Sequence, residues 1–415
     1  MAKDWQTESH TSLVNTDRET PAVPRRPRLE RHWPLLAAVG WVFVLSRLFF
    51  VEVASLGYIY LPHAWIEAPE GTLPPAGGLL YHVLVGLWAH WDGLWYLSIA
   101  TYGYQNRPTA TAFFPLYPLA IKLTGGSVLS GIFVSLLAFL VALYFLARLA
   151  ELEWGPRTAW YALLALAFFP TAFYANAVYS ESLFLMLASA SLYFLRTRRY
   201  WIAGPLGALA TLVTMYGILL VLPFFWVIGR QESWRFKKLL HVLWMPLGLS
   251  VYMAYLVPLF GDPLIFEKAQ SNWGRHFEWF PVTIWQGLVA AWHSWPDAVN
   301  FAVLFQRGAP STVPSNLYNV LFTLFALAVL VFSIKRLPFY LWLYAAAALF
   351  MPLSYPAEGN PLMSMPRLVL EAFPLFLGLG NIMARTPWVR AVYFVVAIPL
   401  GVLLVTLFAT AHWVA

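Results

Sequence analysis

The stretch LTGGSVLSGIFVSLLAFLVALYFLA, residues 123–147, runs 25 residues without an Asp, Glu, Lys or Arg. About 20 apolar residues suffice for a helix to cross a hydrocarbon core of about 30 Å, so this stretch reads as a membrane span. Residues 158–180, 200–229 and 391–415 are equally free of those four residue types. The whole chain of 415 residues is 60% hydrophobic, 18% aromatic and only 11% charged, about half the charged fraction of a soluble domain. No room remains for a folded soluble domain. The fold class that follows is an all-α, polytopic integral membrane protein.

Residues 1–33 are polar, mixed in charge and without an apolar signal-peptide core. They read as a flexible cytoplasmic tail, which leaves residues 34–415 as a single transmembrane domain with an uncleaved first span. The absence of Cys excludes disulfides, thiolate nucleophiles and thiolate metal sites. A net charge of +7 invites a nucleic-acid partner, but the basic residues sort by topology instead. Cytoplasmic loops are enriched in Lys and Arg. Placing PRRPRLER, Arg148 to Arg157, RTRR near 196–199, RQESWRFKK at 230–238, Lys335–Arg336 and Arg385–Arg390 inside accounts for 19 of the 26 basic residues, counting Lys3 and Arg18. Arg107, Lys122, Lys268, Arg275, Arg307 and Arg367 are left outside, and Arg47 lies within the first span.

Residues 200–229 as one helix would be about 45 Å long with a basic cluster at each end, so two short helices turning near Thr214 to Gly217 fit better. The path then makes about eleven crossings, with the N-terminus cytoplasmic and the C-terminus outside. Its long outer segments are residues 60–122, 261–314 and 354–367, with a short turn at 179–182. No internal repeat marks the inverted halves of a transporter.

The unusual polar residues collect on that outer side. In HWDGLWYLSIATYGY, residues 90–104, Asp92 stands among His90, Trp91, Trp95 and Tyr96. If residues 88–102 are helical, Asp92, Trp95, Tyr96 and Ile99 share one face. Such a helix is either an aromatic anchor with a solvated Asp, or it holds a general base in a partly dry site. Glu181 in NAVYSESLFLM sits at the outer end of a span, where it caps the helix or faces a cavity. GDPLIFEKAQSNWGRH, residues 261–276, carries Asp262, Gln270, Trp273 and Arg275, and SMPRLVLEAFP, residues 364–374, carries Arg367. An Arg in such a place either snorkels or binds phosphate through its planar fork. Arg47 and Glu52 in the first span are explained as well by packing as by function. There is no GxxxxGK[ST] loop, HExxH or GxSxG. The nine His show no metal-ligand spacing, and a structural role suits His90.

HWDGLWYLSIATYGY followed by FFPLYP, then FFPTAFYANAVYSESLFL, GDPLIFEKAQSNWGR and SMPRLVLEAFP resemble, in this order and over roughly residues 40–380, the GPI mannosyltransferase II family and its prokaryotic relatives. The resemblance implies a GT-C glycosyltransferase, an all-helical membrane enzyme with a long first extracytoplasmic loop that uses a polyprenyl-phosphate sugar. It implies an essential carboxylate in that loop, which here is Asp92, and a looser binding role for Glu181, Gln270, Arg275 and Arg367. One departure stands out. Where relatives show Thr-Arg before a Gly, this chain reads TLVTMYGIL with Met215, so Arg367 or Arg275 must serve the donor phosphate, or the donor differs.

The expected activity is therefore transfer of a hexose, by family mannose, from a polyprenyl-phosphate donor to a lipid or glycolipid acceptor at the extracytoplasmic face of a prokaryotic plasma membrane. Asp92 acts as base in an inverting displacement, with no cofactor expected and a divalent metal optional. His90, Trp91, Trp95, Tyr96, Asp262 and Trp273 complete the expected binding surface. Rival readings are a flippase for lipid-linked sugars, with Arg47 on its path, and a non-catalytic subunit of a glycosylation complex.

Overall fold

The computed structural model describes residues 28–64, 77–232, 236–298 and 315–414. Most of the expected tail, together with Arg235 and Arg307, lies outside the described residues. The chain divides into two units, Met1–Pro34 and Leu35–Ala415, and the second holds every helix that frames the cavity.

Fourteen helices of eight residues or more are present among the described residues. They are α1 (Arg28–Tyr60), α2 (Asp92–Tyr102), α3 (Leu116–Leu123), α4 (Val128–Trp154), α5 (Pro156–Ala167), α6 (Glu181–Arg196) and α7 (Tyr200–Thr211). There follow α8 (Val221–Gln231), α9 (Trp244–Phe260), α10 (Phe280–Ala298), α11 (Asn316–Phe332), α12 (Phe339–Leu353), α13 (Pro374–Arg385) and α14 (Pro387–Ala409). No strand forms among the described residues; only isolated bridges pair Arg275 with Ala357 and Ala357 with Asn360.

Among the described residues four segments are long and apolar enough to cross a membrane: Pro34–Tyr60, Val128–Trp154, Phe236–Phe260 and Pro387–Ala409. The remaining helices are shorter or interrupted, and the interruptions have local causes. The charge-free run 158–180 is not one helix. Its helix α5 stops at Ala167, because Pro170 lacks an N–H and biases the preceding residue away from helical angles, and a 3-10 turn follows at Ala172–Asn176. In the run 200–229, α7 ends at Thr211, Thr214 is extended, and a 3-10 turn over Met215–Leu220 leads into α8. Gly217 permits that fold-back, since a Cβ there would collide with the backbone of Thr211. By contrast α4 is cleanly bounded. The Ser127 hydroxyl accepts from the Ser130 N–H at 3.2 Å, and Gly155 at φ +88° closes the other end before Pro156 opens α5.

Helix α4 packs on α5 and α6, α6 on α7, α7 on α9, and α5 on α13. The broken segment 168–180 threads between them and is fixed by buried polar contacts. Arg47 of α1 donates to the carbonyls of Ala172 at 2.7 Å and Ala167 at 3.1 Å, and to Asn176 Oδ1 at 2.6 Å. Thr171 Oγ1 donates to the carbonyl of Pro366 at 2.6 Å, and Ser135 Oγ to that of Tyr179 at 3.1 Å. Irregular backbone at membrane depth is stable where protein groups satisfy it in this way. Phe408 of α14 backs the same segment, with its ring 5.3 Å from Phe173, 5.6 Å from Tyr174 and 6.1 Å from Tyr179.

Arg47 thus acts as a clamp. Replacing it by Met strands two carbonyls and an amide oxygen, and at about 1.5–3 kcal/mol for a hydrogen bond to a charged group the expected loss is about 3 kcal/mol or more. A lowered unfolding midpoint in detergent is the expected readout; an unchanged midpoint would remove the clamp.

Candidate active site

Two backbone irregularities introduce the principal residues. Trp91, at φ +53°, immediately precedes Asp92, the first residue of α2. That helix therefore begins four residues later than the expected 88–102. Ser364, at φ +71°, precedes the single turn Met365–Leu368 that carries Arg367. Non-glycine residues in this region cost about 1–3 kcal/mol and persist only where the surroundings fix them. For Trp91 those surroundings include the bond from the Val178 N–H to the Trp88 carbonyl at 2.9 Å and the Trp413 ring 5.1 Å away.

Asp92 and Arg367, 275 residues apart, form an ion pair through Oδ2 and Nη1. Glu181 Oε1 lies 3.2 Å from Nε of the same guanidinium. Arg367 also lies over the ring of Tyr179, 5.4 Å from its centroid, with Tyr174 at 6.0 Å. The side chains of Asp92, Arg367 and Glu181 are only 13%, 14% and 8% exposed, so the charges interact where water screens them little.

These three residues line a cavity of ≈ 240 Å³. Tyr96 and Ser180 share its wall and are joined by a 2.8 Å hydrogen bond. Phe113 and Phe114 of FFPLYP also line it. The segment after α9 contributes Phe266, Glu267, Gln270, Trp273 and Arg275. Arg275 donates to the carbonyl of Tyr355 at 3.1 Å and points toward that of Met363 at 3.5 Å. It forms no ion pair among the described residues, and burial pushes its pKa down from the usual guanidinium value. The cavity therefore holds one cation shared by two carboxylates and a second cation held by neutral oxygens, an arrangement suited to a phosphate next to a proton acceptor.

Of the residues singled out from sequence, Asp92, Tyr96, Glu181, Gln270, Trp273, Arg275 and Arg367 line this cavity. Trp95 does not; it stacks on Phe113 at 5.6 Å, while Trp273 meets the same ring edge-on at 5.8 Å. Trp91 supports the cavity through Trp413, which lines it. His90 Nδ1 pairs with the carbonyl of Phe408 at 3.2 Å, behind the wall. Asp262 is set apart: Lys268 at 2.6 Å and the Leu264 N–H at 2.9 Å hold its carboxyl below the usual range. Met215 lines the cavity, so the missing Arg of that block is missing from the site itself. Among the described residues no three His, Asp or Glu side chains group as metal ligands.

Glu371, Tyr216 and Trp413 line the cavity without having been picked out from sequence. Glu371 carried a signal, being the last carboxylate of the chain in the apolar stretch after Arg367. An ionisable group in such a stretch marks a site.

Taken together, these features describe a mostly helical protein with apolar helices long enough to cross a membrane and a charged cavity between them, and its fold is similar to that of GT-C enzymes. ArnT from Cupriavidus metallidurans, solved bound to undecaprenyl phosphate, aligns at a TM-score of 0.50 over 86% of this chain and 62% of that one, at 15% identity. At that identity the likeness concerns the fold alone. Residues 78–241 match the mannosyltransferase (PIG-V) family. The GPI alpha-1,6-mannosyltransferase 2 of Homo sapiens is 31% identical over 198 residues, and that of Cricetulus griseus 33% over 197. Each match covers 43% of this chain and 40% of the relative, so the chain aligns with less than half the length of these relatives. The family resemblance read from the sequence blocks is thus met over this stretch, which contains Asp92, Tyr96 and Glu181.

Arg367 links two carboxylates that would otherwise be buried and unpaired. Arg367→Met is expected to destabilise the protein by about 3–5 kcal/mol, and adding Asp92→Asn with Glu181→Gln to recover much of that loss. Denaturation midpoints of the single and triple variants measure both; a triple variant no more stable than Arg367→Met would contradict the ion-pair account.

Proposed function

We propose that this protein is a membrane mannosyltransferase that moves mannose from a polyprenyl-phosphate donor to a lipid or glycolipid acceptor. The observation that carries the reading is the convergence of Asp92 and Arg367 in one aromatic-lined cavity. The family match and the named activity of the curated relatives support the sugar, and the undecaprenyl phosphate bound to ArnT supports the class of donor lipid. The sorting of Lys and Arg supports a cytoplasmic N-terminus and a cavity on the extracytoplasmic face.

In the proposed reaction the donor phosphate takes up Arg275 and competes with Asp92 for Arg367. Asp92, released from its partner, accepts the proton of the acceptor hydroxyl. That oxygen forms the new bond to the anomeric carbon while the bond from carbon to phosphate oxygen breaks. The electron pair stays on the phosphate, where the two guanidiniums stabilise it, and the configuration at the anomeric carbon inverts. Gln270, Tyr96 and Ser180 supply hydrogen-bonding groups for sugar hydroxyls, and Trp273 and Phe113 supply apolar faces. Glu181 holds Arg367 in place.

Arg47 bears on the translocator alternative. A cation on a transport path must exchange partners, whereas Arg47 is committed to fixed oxygens beneath the Phe139 ring. Its surroundings favour the enzyme reading.

Purified protein in lipid, given radiolabelled polyprenyl-phosphate mannose and a membrane lipid extract, is expected to transfer label to lipid. Asp92→Asn, which keeps the shape and removes the base, is expected to lower that rate by about a hundredfold or more. Equal rates would remove Asp92 from the mechanism.

A further inference from the structure

Glu371 is used by none of the steps above, yet it has the attributes of a ligand-binding group. It is 4% exposed and lines the same cavity as Asp92 and Arg367. Among the described residues its carboxylate takes part in no hydrogen bond or ion pair, and Oε2 is buried without a partner. The backbone around it is fixed. Its N–H donates to the Leu368 carbonyl at 3.0 Å, and the Tyr344 hydroxyl donates to its own carbonyl at 3.2 Å. A buried polar group of a folded protein has a partner in the great majority of cases, and leaving one unpaired costs about 1–3 kcal/mol or more.

The neighbouring cations do not supply that partner. Arg367 pairs with Asp92 and Glu181, and Arg275 is held by the carbonyl of Tyr355. The partner that completes Glu371 therefore comes from what fills the cavity. Glu371 follows Arg367 by four residues, about 6–8 Å along a helical path. With the anomeric carbon placed at Asp92 and Arg367, a carboxylate of the same cavity one turn further along the chain is left the other groups of the sugar, and those are ring hydroxyls.

We propose that Glu371 binds a ring hydroxyl of the transferred sugar remote from the anomeric carbon, and so selects the donor by the hydroxyl it carries there. This assignment rests on the glycosyltransferase reading. It makes Glu371 a specificity-determining residue, because a site built around a substrate hydroxyl strongly rejects an analogue lacking it.

The test uses the full chain in lipid with polyprenyl-phosphate mannose and a series of donors each lacking one ring hydroxyl, comparing kcat/KM for wild type, Glu371→Gln and Glu371→Ala. Wild type is expected to discriminate about tenfold to a hundredfold against one of these donors. In Glu371→Ala that discrimination should collapse, while the profile over the other donors stays as in wild type. Glu371→Gln, which keeps size and hydrogen-bonding capacity, should retain part of it and guards against a variant that fails to fold. A deoxy-donor profile identical in wild type and both variants, or a uniform loss across all donors in both variants, overturns the assignment. Wild-type protein that uses no mannose donor at all overturns the glycosyltransferase reading itself, and the assignment with it.

Discussion

The guanidinium of Arg367, held between the carboxylates of Asp92 and Glu181, is the interaction on which the site depends. Each of the three groups would be costly to bury alone. Together they fix three segments distant in sequence: the start of α2, the start of α6 and the turn after Ser364. The Thr171 bond to the Pro366 carbonyl and the Arg47 clamp on Ala172 and Asn176 extend that constraint to α1. The cavity is thereby built on rigid backbone despite being bordered by short and broken helices.

The aromatic residues around Asp92 divide into two roles. Tyr96, Phe113 and Trp273 face the cavity, whereas Trp95 lies behind Phe113 and Trp91 leans on Trp413. The result is a low-dielectric rim around a small set of charges. Electrostatic interactions gain strength in such surroundings, which suits the displacement and the leaving phosphate proposed for this site.

Much of this was legible in the sequence, for physical reasons that differ by residue. Charge-free runs announced helices, since backbone groups in lipid satisfy themselves in that form. The rarity of charge made Asp92, Glu181 and Arg367 conspicuous. The ends of the helices were less visible: Pro170 marks a break in the run 158–180, but the apolar residues around it do not show that a 3-10 turn rather than a kinked span follows. Asp262 is a carboxylate prominent in its block that does not line the cavity and is bonded instead to Lys268, six residues on. The pairing of Arg367 with both carboxylates depends on tertiary geometry that no local pattern encodes. Glu371 is legible only as a lone carboxylate in an apolar stretch, and its place in the cavity depends on the tertiary fold.

The central claim is that Arg367 is shared between Asp92 and the donor phosphate. It is tested most directly by the affinity of the purified protein for a polyprenyl phosphate bearing no sugar, in wild type and Asp92→Asn, with the uncharged polyprenol as control. Removing the competing carboxylate should tighten phosphate binding by about tenfold, the size of one unit-charge interaction of roughly 1.4 kcal/mol in a partly screened site, and leave polyprenol binding unchanged. Equal or weaker binding of the phosphate by Asp92→Asn would contradict the account.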